Sequence, residues 1–177
     1  MLLKIIIILA LLVVAFVIVV SLRPADFRVS RTAVIAAPPA IVFPHVNDLH
    51  QWHDWSPWAK ADPNAVVTFD GPPAGTGASY HWTGKKVGEG TMTIVGNQPN
   101  ASVRFRLEFV KPFAATNAVE FTFQPEGSGT VVTWTMTGKN NFLAKAINLV
   151  IDCEKICGSQ FDQGLADLKT IAEKEVK

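Results

Sequence analysis

Residues 103 to 109 read Val-Arg-Phe-Arg-Leu-Glu-Phe, apolar and charged in unbroken alternation. A strand points successive side chains to opposite faces, so this run buries one face and wets the other, whereas a helix would scatter the same residues around its axis. The pattern returns in Val119-Glu120-Phe121-Thr122-Phe123 and in Val131 to Thr137, where Val132, Trp134 and Met136 share a side. Strands of this kind belong to antiparallel sheets with one solvated face. Phe27 to Ile35, Val66 to Phe69, Ala78 to Trp82 and Gly90 to Val95 read as further strands. Turn residues separate the runs: Gly71-Pro72-Pro73, Gly84-Lys85-Lys86, Asn97 to Asn100, Lys111-Pro112 and Glu126 to Gly129.

Two helical stretches flank the strands. Ala37-Pro38-Pro39 opens one that passes through Ile41, Val42, Phe43 and Val46, with Pro44 limiting its length. The second is expected to start near Asn140-Asn141 and run to about Lys174. Its apolar stripe is Leu143, Ile147, Val150, Cys157, Phe161, Leu165, Leu168 and Ala172. Gly158 and Gly164 inside it point to close packing or a kink. The order predicts an α+β fold: a curved antiparallel sheet of about seven strands around a long C-terminal helix, with two short helices after the first strand. Space left between sheet and helix would be apolar and suited to a small hydrophobic ligand.

The amino terminus obeys a different rule. Ile5 to Leu22 contains no charge, and as a helix it spans about 27 Å, close to the hydrocarbon thickness of a bilayer. Lys4 and Arg23-Pro24 bracket it. The run is longer than the apolar region of a signal peptide, and Ser21-Leu22-Arg23 is a poor cleavage site. We expect an uncleaved single-pass helix over residues 2–22, an anchor with its short linker over residues 1–25, and one ligand-binding domain over residues 26–177. Lys4 argues for an inside amino terminus and Arg23, Arg28 and Arg31 for the reverse, so orientation stays open. The chain's 177 residues suit one domain, and a net charge of +1 without a basic block gives no reason to expect nucleic acid. Two cysteines do not make a disulfide framework.

Ile35 to Phe43, Asn47-Asp48, the Trp52 to Trp58 block, GTGASYHWTG from Gly75, GEGTMTIV from Gly88, GTVVTWTMTGK from Gly129 and FDQGLADLKTIAE from Phe161 occur in that order. As an ordered set, over about residues 27 to 175, they resemble the START and polyketide cyclase/dehydratase-like superfamily (SRPBCC type). The resemblance implies a helix-grip fold, a seven-stranded sheet gripping a C-terminal helix around an internal cavity. It does not imply one activity, because such proteins carry lipids, bind small hydrophobic molecules or catalyse cyclisation and dehydration.

The segment HQWHDWSPWAK, residues 50 to 60, invites a catalytic or metal reading. His45, His50 and His53 lie five and three apart, not at the four-residue spacing of a helical metal pair, so no metal and no cofactor are expected. Trp52, Trp55 and Trp58, three apart, read as a hydrophobic cap or as ligand contacts, and the resemblance implies that they lie at one end of the cavity. The glycines from Gly71 to Gly84 lack the phosphate-loop pattern and read as turns. Glu154 falls in the apolar stripe of the last helix. A carboxylate there would serve as a general acid or base or as a polar anchor for a ligand, unless it pairs with an arginine or sits at an open mouth. Cys157, one turn on, reads as a buried small hydrophobe.

Strand parity and helix phase together nominate Trp52, Trp55, Tyr80, Trp82, Met92, Phe105, Phe121, Trp134, Glu154, Cys157 and Phe161 as ligand-contacting residues. The expected function is a membrane-tethered domain that binds a hydrophobic small molecule or lipid. The alternatives are a cyclase/dehydratase- or hydrolase-type enzyme using Glu154, and a non-catalytic partner-binding module.

Overall fold

The computed structural model describes residues 2–176. A single sheet forms the body: β1 (Asp26–Ile35), β2 (Val66–Asp70), β3 (Ser79–Gly84), β4 (Gly88–Gln98), β5 (Ser102–Lys111), β6 (Ala115–Glu126) and β7 (Gly129–Lys139). All neighbours are antiparallel, in the spatial order β1-β7-β6-β5-β4-β3-β2. The chain is a meander from β2 to β7, and β1 closes it by pairing with β7 from Asp26↔Lys139 to Ile35↔Thr130. Two register shifts in β4, at Glu89/Gly90 and Ile94/Gly96, break the ladder with β5 and bend the sheet.

Alternation decides the faces. Val103, Phe105, Val119, Phe121, Phe123, Val132 and Trp134 are buried, while Arg104, Arg106 and Glu120 face water. The inner face is covered by α2 (Pro39–Asn47), a 3-10 turn (Leu49–Gln51), α3 (Trp52–Trp55), α4 (Pro57–Ala61) and the long α6 (Cys153–Ala172). Pro44 lies in the final turns of α2, which continues only to Asn47 before Asp48 leaves the helical region and caps the next turn by accepting from His50 N–H. The helix α6 runs along β1: Lys169 donates to Val34 O, and Glu173 accepts from Ala36 N–H, at the end of the strand.

One expectation needs correction. The stretch from Asn140 to Lys174 is two helices, α5 (Phe142–Ile147) and α6, not one. Each has its own N-cap: Asn141 accepts from Ala144 N–H and Asp152 from Lys155 N–H. Caps use side-chain oxygens to satisfy the free amides of a first turn, so a second capping residue inside an apolar stripe marks a restart. The glycines of α6 mark close packing rather than a kink. A side chain at Gly164 would meet the Trp134 ring at 2.8 Å and Pro57 at 3.1 Å, and one at Gly158 would collide with the Arg31 guanidinium.

At the amino terminus α1 (Leu2–Leu22) is long and apolar enough to cross a membrane. Of its residues only Val20 is buried, at the end where α1 touches α5. Three residues separate α1 from β1.

Candidate functional site

The tryptophan segment is held in place by its indoles. Trp52 Nε1 donates to Val46 O and Trp55 Nε1 to His45 O, both at 3.0 Å, so the rings fold back under α2. Trp55 is fully buried and packs edge-on to Phe121 and Trp134. Trp52 meets Phe105, Phe121 and Trp134 in the same manner. Trp134 stacks on Phe161 of α6 at 4.1 Å, nearly parallel. These rings form a solid aromatic block at mid-sheet, and edge-to-face pairs of this kind stabilise by about 0.5–1.5 kcal/mol each beyond their burial.

Next to this block the sheet and helices do not close. A cavity of about 410 Å³ lies between β2–β7 on one side and α3, α4 and α6 on the other, within the size range of small-molecule sites. Trp52, Tyr80, Trp82, Met92, Trp134, Cys157 and Phe161 line it, joined by Trp58, Val67, Phe69, Val87, Leu107, Phe109, Val119 and Met136. His50, His53, Ser56 and Asp62 bring polar groups to the α3–α4 side, and Tyr80 of β3 and Cys157 of α6 carry the hydroxyl and thiol of the other walls. Asp62 is engaged elsewhere as well: it accepts from Lys86 N–H at 2.8 Å, and this bond, with the Val87 amide, holds its carboxyl below the usual carboxylate range. Burial pushes the Tyr80 phenol up to about 12 and the Cys157 thiol up to about 11, so both stay protonated at neutral pH. Trp134 Nε1 is buried without a hydrogen-bond partner, unlike the indoles of Trp52, Trp55 and Trp82.

Four residues nominated from sequence lie elsewhere. Trp55, Phe105 and Phe121 share the inner face but belong to the packed block, at 0–1% exposure. Parity identifies the face of a strand and not the point along it where packing stops. Glu154 also lies outside the cavity lining. It is more than half exposed and sits 3.1 Å from Arg31 Nη1. Arg31 crosses α6 over Gly158 and reaches Asp162 at 3.2 Å as well, so its guanidinium is raised by Glu154 first and by Asp162 also. The helical phase of Glu154 is that of Gly158, Phe161 and Leu165, but what stands opposite its turn is an arginine of β1 and not the void. The general acid/base reading therefore finds no carboxylate of Glu154 in the cavity.

The histidines diverge. His45 Nε2 lies 3.0 Å from Glu175, and His50 bonds Asp48 and stacks on Phe69 at 4.0 Å, while His53 stands at the cavity wall. Among the described residues no three His, Cys, Asp or Glu side chains group as a metal site. The lining residues that sequence reasoning missed include Val67 and Phe69 of the edge strand β2. Their alternation was visible, but not that the sheet's open flank would be part of the wall.

Comparison with known proteins agrees with this geometry. The family model described as polyketide cyclase/dehydrase and lipid transport matches residues 26–173. Among solved structures, protein CV1439 from Chromobacterium violaceum is 17% identical with a TM-score of 0.60, over 85% of this chain and 99% of that one. Protein MLL2253 from Mesorhizobium loti is 16% identical with a TM-score of 0.63, over 84% and 98%. The Aha1 dimer structure from Colwellia psychrerythraea gives 15% and 0.60, over 83% and 96%. At such identities the likeness is one of fold. No curated protein matches the chain.

Proposed function

The chain belongs to the polyketide cyclase/dehydrase and lipid transport family, and from that premise we propose that it is a membrane-tethered domain that binds a hydrophobic small molecule or lipid-like ligand in its cavity. The observation that carries this reading is the lining: about 410 Å³ of space walled mostly by aromatic and aliphatic side chains, with few polar groups. Burial of an apolar ligand there yields about 25 cal/mol per Å² removed from water. The few polar groups, with the Tyr80 hydroxyl among the rings, suit a ligand that has one oxygen-bearing end. The α1 helix, 21 residues and about 31 Å long, supports the tether. A ligand of this kind partitions into the bilayer, so tethering keeps the binder at its source.

The test is native mass spectrometry of residues 26–177 together with lipophilic dye binding. A co-purifying small molecule, or a dye that binds and raises the melting temperature, supports the proposal. A bare mass with no dye response removes it. The enzyme reading gains no specific observation, because Glu154 pairs with Arg31 outside the cavity.

A further inference from the structure

The cavity occupies one half of the molecule along most of the elements that wall it. On β4 Met92 lines it and Ile94 does not; on β5 Leu107 and Phe109 do and Phe105 does not. On β7 it is Trp134 and Met136 rather than Val132, and on α6 Cys157 and Phe161 rather than Leu165 and Leu168. The strand register identifies this half. Asp26 pairs with Lys139, Gly138 with Asn117, Phe109 with Ala115 and Lys111 with Glu89, so one end of the sheet carries the start of β1, the end of β7, the β5–β6 hairpin and the β3–β4 turn. That is the end where α1 emerges. The three-residue link from α1 to β1 spans about 10 Å at most.

The same end carries the connector from β7 to α6. It is held against the close of α1: Asn140 N–H donates to Ala25 O at 2.8 Å, Lys145 Nζ to Ser21 O at 3.5 Å, and α5 touches α1. Several of the large apolar side chains of this connector and the first turn of α6 point outward. Phe142 and Leu143 are about half exposed, Ile151 and Ile156 likewise, and Val150 is 89% exposed. This apolar rim carries Lys145 and Lys155 with Asp152 and Glu154, and exposed apolar side chains interspersed with lysines suit a surface that rests at the headgroup boundary.

We infer that the segment from Phe142 to Ile156 seats on the bilayer surface beside the α1 anchor, so that the anchor-side end of the cavity faces lipid. The inference rests on the membrane-tethered reading above and adds to it an orientation and a docking surface. The α5–α1 contacts set the domain beside the anchor, and a second apolar contact with lipid fixes which face meets the membrane.

The full-length chain tests this in phosphatidylcholine/phosphatidylglycerol vesicles containing lipid with a nitroxide on the acyl chain. A fluorophore is placed at position 150 by Val150→Cys in a Cys153→Ser, Cys157→Ala background, and in a second protein at position 128 by Ser128→Cys, on the β6–β7 turn at the opposite end. Quenching at position 150 severalfold above that at position 128 is expected. Equal, weak quenching at both sites in protein that resists carbonate extraction overturns the docking surface and leaves the anchor standing. Release by carbonate removes the anchor and the docking inference together. The unmodified chain gives an independent check, because exposed Cys153 lies inside the same segment and takes the fluorophore without any substitution.

Discussion

Two side chains one turn apart on α6 have opposite surroundings. Glu154 is exposed and paired with Arg31, while Cys157 reaches the cavity. Glu154→Gln removes an exposed ion pair, and such pairs contribute little, so the melting temperature should fall only slightly and dye binding should be unchanged. Loss of dye binding in that variant, with folding retained, would return Glu154 to the site. Cys157 has its thiol pushed up to about 11 by burial, and the thiolate is the reactive form. At pH 8 iodoacetamide should modify exposed Cys153 first. The Cys157 rate should climb as pH rises toward 11, and a lipophilic occupant of the cavity should slow Cys157 alone. Peptide mapping by mass spectrometry over a pH series reads both.

At the scale of the element, α6 depends on its glycines. Each costs helix propensity, yet Gly164 lets the Trp134 ring and Pro57 approach the helix backbone. Gly164→Leu should force the aromatic block apart, with a loss of about 1–3 kcal/mol typical of overpacking. A shift in the denaturant midpoint with altered tryptophan fluorescence would register it, and an unchanged midpoint would contradict the packing described. The strands were legible because period-2 alternation is local: Val103 to Phe109 lies in β5 with Val103 and Phe105 buried. The break between α5 and α6 was not legible as a break. Leu149, Val150 and Ile151 continue an apolar rhythm, and only the exposure of Val150 and Ile151 in the folded chain shows that they turn outward.

At the scale of the molecule, α1 and the body of sheet and helices meet through a short link, the buried Val20 and contacts with α5. Deleting residues 1–25 should release the domain from membranes in a flotation assay while leaving dye affinity unchanged. Aggregation of the truncated protein in place of a monomeric, dye-binding one would show that α1 is structurally required.

What the chain's sequence determined by itself is what depends on neighbours along it: the strands, their wet and dry faces, the uncharged N-terminal run and the aromatic character of the inner face. Which inner-face residues pack and which line a void was decided by the tertiary structure alone. Phe105 and Leu107 are equivalent by parity, yet one is in the aromatic block and the other borders the cavity. The difference arises because a cavity is the space that distant elements leave between them. Its position follows from where Trp52 and Trp55 fold back onto Phe121 and Trp134, contacts between residues some seventy or eighty positions apart that no local pattern encodes.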